Sequence, residues 1–333
     1  MTSAPPPDRR IYVTGGRQRK LLFKDEDESH LYETALILEV NPEDGSARIC
    51  VEYQSPSEVR ANERASVLFK SGTLRGGKLY ICTSTEVLIF EVPSFRRIGY
   101  VSLPCFNDLH HVTPARDGSL LAVSTGLDMV TKFNQSGTML QEWNVLGEDP
   151  WARFSRAVDY RKIATTKPHR SHPNFVFELG EEIWVTRFVQ RDAVCLTTWG
   201  KRIELPGEAP HDGVILGNKI FFTSVDGRIL IADRETLQVS RSIDLNEVGS
   251  EKKTLLGWCR SLLSLNDQLL WAGFTRVRKT AFRENLLWVK HRFQETEKPT
   301  HIALYDLSEG RRLHEVDLER YGMNVVFGIY PAK

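Results

Sequence analysis

The chain has nine histidines, and four of them fall at what read as entrances to short apolar strands. These are His110 and His111 in 107–112, His172 in 171–174 and His211 in 210–213. Imidazole changes charge near neutrality, so a histidine facing a ligand can take a proton alpha to a carbonyl or protonate a leaving group. His111, His172 and His211 are therefore the catalytic candidates. Two or three neutral imidazoles at one point can instead hold a divalent metal such as Zn, Mn or Fe, whose open position would activate a water. His110, His111, His172 and His211 are the candidate ligands for it. A one-residue slip of register exchanges His110 for His111. The plain alternative for each is a histidine that packs near a strand end and bonds a backbone carbonyl. Asp108 and Asp212 are placed to orient a neighbouring imidazole, although Asn-Asp and Asp-Gly are also ordinary turn pairs.

Arginines form the second cluster. Arg191, Arg260 and Arg276 lie in or beside loops expected on the histidine side. A guanidinium grips a carboxylate or phosphate with two parallel bonds, so these residues point to a small anionic substrate. The alternative is solvated surface charge. Asn324, at the start of the last strand, and Trp288 complete the substrate-binding candidates.

The elements that must position these groups are strands. Residues 78–83, 86–91, 119–124 and 219–223 are apolar, β-branched or aromatic, and bounded by Gly, Asn, Asp or Pro. A turn followed by an apolar strand recurs at 76–83, 117–124, 180–186, 217–223 and 266–273, with spacings of about 41, 63, 37 and 49 residues. A four-stranded propeller blade takes roughly 40–50 residues. A sixth unit fits 34–40 with 47–52. The strand 323–329 lacks a partner of its own and is expected to close the ring on the N-terminal unit, which removes the free sheet edge. The expected fold is all-β, a six-bladed β-propeller, with five or seven blades as alternatives. Residues 1–10 read as a tail and 11–333 as a single domain.

Two insertions, 146–169 and 279–299, are positioned to cover the channel mouth. In the first, Asp149 and Pro150 predict the start of a short helix. Trp151 and Trp288 lie in the insertions and read as ligand contacts, whereas Trp184 and Trp271 share one place in the repeat and read as sheet packing. Gly15-Gly16 and Gly76-Gly77 read as turns.

Over about residues 30–330 the blade pattern resembles the six-bladed gluconolactonase, streptogramin-lyase and NHL-type propellers. That resemblance implies the fold, and a group containing calcium-dependent lactonases, a magnesium-dependent lyase and pure binding scaffolds. The calcium enzymes carry Glu, Asn and Asp ligands, where this chain has mostly His.

Other classes are disfavoured. Lys and Arg number 44 against 43 Asp and Glu, a net charge of +1, so neither nucleic acid nor a membrane surface is an expected partner. No apolar run is long enough to span a bilayer, and the Pro-rich start lacks a signal-peptide core. Five scattered cysteines read as reduced thiols in a cytoplasmic protein. No phosphate loop, dinucleotide fingerprint, nucleophile elbow or zincin motif occurs, so no nucleotide cofactor is expected. The reading is an enzyme for elimination, hydrolysis or isomerisation of a small anionic molecule on the axis, metal-assisted or not. Its rival is a scaffold that binds a peptide or protein on the same face. A carbohydrate module is weaker, because no aromatic repeats once per blade. The sequence leaves the oligomeric state open.

Overall fold

The computed structural model describes residues 10–20, 28–248, 254–277 and 296–332. Among these, six four-stranded antiparallel sheets form a six-bladed β-propeller. From the axis outward, blade 1 holds Val325–Pro331, Ile11–Gln18, Tyr32–Val40 and Ala47–Tyr53. The inner strands of blades 2 to 6 are Gly72–Arg75, Leu109–Pro114, Pro173–Leu179, Pro210–Leu216 and Trp258–Ser264. Among the described residues, blade 1 alone combines an early strand with the last one. Tyr12 pairs with Tyr330 on one side and Glu39 on the other, which closes the ring.

The second and third strands of each blade are apolar on both faces because each sheet is sandwiched between two others. In blade 3, Leu120 and Ala122 pack toward Tyr80 and Ile89 of blade 2. The alternate residues Leu121 and Val123 pack toward Val176 and Val185 of blade 4. The same alternation links blades 4 and 5 through Trp184 and Phe222, and blades 6 and 1 through Trp271 and Val326. The core is thus a ring of inter-blade layers. Outer strands alternate instead, as in Arg311–Asp317, with one face in water.

Two expectations need correction. Gly15 and Gly16 lie inside the strand Ile11–Gln18, not in a turn. A Cβ on Gly15 would sit 1.8 Å from the Val325 carbonyl oxygen, so glycine is there to let the closing strand approach. Gly76 and Gly77 do form a turn, at φ 59° and 71°. The helix expected after Asp149 is absent. Asp149 does accept from the Trp151 backbone N–H at 2.8 Å, but only turns follow, ending in a short 3-10 turn at Tyr160–Lys162. Side chains compete there for the backbone groups a helix would need: Tyr160 Oη accepts from Ser155 N, and Asp159 accepts from Arg161 N.

Candidate functional site

All six inner strands begin on one face of the ring, and the connections 54–71 and 145–172 open on that face. Five of the six inner strands break register with their neighbour close to that end. The irregularities fall between Leu109 and His111, Pro173 and Val176, Pro210 and Gly213, Cys259 and Ser261, and, in the closing pair, opposite Thr14 and Gly15. A bulge leaves a residue out of the ladder and re-aims its side chain. Here the residues set free include His110, His211, Arg260 and Phe327, and they meet at the axis.

His110, His211 and Phe327 come from alternate blades and form a nearly equilateral triangle. Their ring centroids are 5.6 Å (His110–His211), 5.6 Å (His211–Phe327) and 6.2 Å (His110–Phe327) apart. Two cations flank it. The Arg260 guanidinium lies 5.0 Å and the Lys70 ammonium 5.9 Å from the Phe327 ring centre. His172 stands 5.1 Å from His110. Lys70, His110, His211 and Phe327 are buried, whereas His172, Arg260 and Asp108 are partly open to solvent. The cluster is a funnel with a buried floor and an accessible rim.

Its electrostatics follow from burial. Desolvation, reinforced by Lys70, holds His110 well below the usual imidazole range, and desolvation with Arg260 does the same to His211. Burial lowers His172 to about 3 and also lowers His169. Burial alone would raise Asp108, but its ion pair with Lys70 and the surrounding imidazoles hold the carboxyl well below its ordinary value. Near neutral pH the imidazoles are therefore uncharged beside fixed cations. The His110 Nδ1 lies 2.9 Å from the Asp108 carbonyl oxygen, which can only accept, and 3.3 Å from the Lys70 ammonium, which can only donate; the shorter contact favours a proton on Nδ1 and a bare Nε2.

Asp128 builds the rim. Its carboxylate accepts from the backbone N–H groups of Arg170, Ser171 and His172 at 2.9, 3.0 and 2.9 Å, and from Arg153 at 3.0 Å. This clamp holds His172 in the left-handed region at φ 56°, a conformation unfavourable for a side chain with a Cβ.

The site differs from the sequence expectation in several places. His111, the neighbour of the bulged His110, points away from the axis and packs edge-on against Phe175 at 4.9 Å. Arg276 is held by both Glu319 oxygens at 2.9 and 2.7 Å, and Arg191 is an exposed residue 3.9 Å from Glu208, so neither joins the cluster. Asn324 accepts from the Gln18 backbone N–H at 2.9 Å and secures the closing pair. Trp151 donates to Glu142 and packs against blade 3, a structural role. Trp288 and most of the 279–299 insertion lie outside the described residues. Lys70 was missed. The signal was positional: an inner strand had to precede 78–83, and Lys70 stands at its entrance. His169 and Asp128 were missed because turn contacts alone place them.

A divalent metal at the cluster would have to share it with a cation. The Lys70 ammonium lies 3.3 Å from His110 Nδ1, where it would repel a dication. Among the described residues no group of three or more His, Cys, Asp or Glu is arranged to hold a metal ion. Also among the described residues, no helix is long and apolar enough to cross a membrane.

Comparison with known proteins gives the fold and no more. No family model matches the chain, and no curated protein does. Among solved structures, it is similar to a protein of unknown function from Bacteroides caccae, with a TM-score of 0.60, 13% identity and 98% and 99% of the two chains covered. It is also similar to a chain of a Nidogen/Laminin complex, with a TM-score of 0.57, 7% identity and 97% and 98% covered. A virginiamycin B lyase from Staphylococcus aureus aligns at a TM-score of 0.44, with 12% identity and 71% and 69% covered.

Proposed function

We propose that the chain binds a small anionic molecule over the axial funnel and moves a proton on it, the chemistry of an elimination, hydrolysis or isomerisation. The observation that carries this reading is the convergence of His110, His172 and His211 from three successive blades beside Lys70 and Arg260. The cations fix the anionic group; burial makes the uncharged imidazoles weak bases in the free chain, and the ligand's negative charge beside them raises their affinity for a proton from an adjacent C–H, O–H or N–H group. Phe327 supplies a flat apolar floor against which the ligand's carbon frame packs.

Calorimetric titration with a panel of small carboxylates and phosphates tests this. Binding is expected for at least one member, and Lys70→Ala and Arg260→Ala should each weaken it about ten- to a hundredfold, with melting temperature as the control. Arg260→Lys should recover little, because an ammonium lacks the planar fork. If no member binds, or the variants bind as well as the parent chain, the reading fails and the rival use of this face, docking a peptide or protein, takes its place.

A further inference from the structure

The rim of the funnel contains a short proton relay whose direction is set by hydrogen-bond accounting. The Thr166 hydroxyl donates to the Gly126 carbonyl oxygen. Having given its proton there, Thr166 Oγ1 meets His169 Nε2, 3.4 Å away, as an acceptor. His169 therefore carries its proton on Nε2 and leaves Nδ1 bare. That bare nitrogen lies 2.9 Å from His172 Nδ1, and two nitrogens at that distance share one proton. His172 must be the donor, so its own Nε2, on the side of the ring turned away from His169, is an unprotonated lone pair.

We infer that His172 Nε2 is the proton acceptor of the site and that His169, fixed by Thr166, is the positioning residue that keeps it bare. This rests on the functional reading above and assigns roles within it. In the step, an acidic X–H bond of the ligand breaks, its electron pair stays on the ligand, and the proton forms the new bond to His172 Nε2. The Nδ1 proton of His172 can then pass to His169 Nδ1. His169 is half-buried and half-open, so its Nε2 proton has a way out to solvent. Asp128 serves the same end by holding the His172 backbone in the one conformation that brings the two rings together.

The test is long-range 1H–15N correlation of the imidazole nitrogens in the full chain, which reads the tautomer directly and needs no substrate. The parent protein should show His172 protonated on Nδ1 and bare on Nε2. His169→Gln should preserve that pattern, because its amide oxygen can accept from His172 while its NH2 group donates to Thr166. His169→Phe should release His172 to the other tautomer or to a mixture, and Thr166→Val should do so partially. A His172 that carries its proton on Nε2 in the parent protein overturns the assignment, as does an unchanged pattern in His169→Phe. Titrating the same sample with tartrate and with inorganic phosphate separates this from the broader reading. Resonances of His110, His172 and His211 that ignore both probes count against ligand binding and leave the tautomer result standing.

Discussion

Ser71 Oγ donates to Asp212 Oδ1 across 3.2 Å, and the two residues come from blades 2 and 5, on opposite sides of the ring. Each follows a residue of the funnel floor, Lys70 and His211. The bond therefore joins opposite blades across the axis beside the cluster. Burial pushes the Asp212 carboxyl up to about 8, so at neutral pH it is largely protonated.

That raised value has a definite sign. Between about 3.8, the ordinary value, and about 8, the folded chain holds a proton on Asp212 that the unfolded chain has lost. This group's contribution is thus full at acid pH and fades as pH rises toward 8. Asp212→Asn keeps a neutral acceptor for Ser71 and cannot ionise. It should be more stable than the parent at pH 8, by at least ~1.4 kcal/mol, a factor of ten in the unfolding equilibrium, with the gap closing toward pH 4. Denaturant unfolding at a series of pH values reads this, and a gap independent of pH would refute it.

The histidines act oppositely. His172 is lowered to about 3 and His111 to about 3 by burial, so below the ordinary imidazole value the unfolded chain binds protons that the folded chain does not. Stability should fall as pH drops from about 6.5 toward 3. Removing one such group, as in His111→Phe, should flatten that slope. His111 Nδ1 has no hydrogen-bond partner among the described residues, but the ring also makes a hydrogen bond to the Gly72 backbone, so the substitution should cost about 1–3 kcal/mol at pH 7 and leave anion binding intact. His211→Phe should abolish anion binding. Melting curves and calorimetry on the pair distinguish floor from wall.

Asp128→Ala should be costly, because it leaves three backbone N–H groups and Arg153 without their acceptor around a left-handed residue. A loss of about 3 kcal/mol is expected, with Asp128→Asn intermediate, since the amide retains one oxygen. The discriminating measurement is the His172 tautomer, which should be lost in Asp128→Ala even at temperatures where the chain remains folded.

Gly15→Ala should destabilise by ~3 kcal/mol or more, because backbone atoms, not flexible side chains, stand where the methyl would go. Gly76→Ala meets nothing within 4 Å and bears only the positive-φ cost, ~1 kcal/mol. Chemical denaturation of the two variants should rank them in that order by a wide margin.

The strand framework and the entrances carrying His172 and His211 were legible, because turn residues bracket each strand and the apolar runs repeat at blade length. The choice between His110 and His111 was not. A bulge is a backbone irregularity imposed by packing, and strict alternation cannot say which of two adjacent side chains it sets free. Lys70 escaped notice because the strand after it, Gly72–Arg75, has four residues and no apolar pattern. Arg191 and Arg276 were placed by the loop they belong to. Glu319, which holds Arg276, lies far along the chain, and Arg191 stands exposed across a hairpin from Glu208, so sequence proximity could reveal neither placement.

Blade 1 makes assembly a question of timing during synthesis. Ile11–Gln18 leaves the ribosome before Val325–Pro331, its inner neighbour, and must wait for it until all five other blades have been made. During that interval the nascent chain is an open arc with a strand edge and an apolar blade face uncovered, the kind of surface that recruits chaperones. The awaited strand also brings Phe327, the floor on which Lys70 and Arg260 rest. A product truncated before it would lack both a closed ring and a finished site.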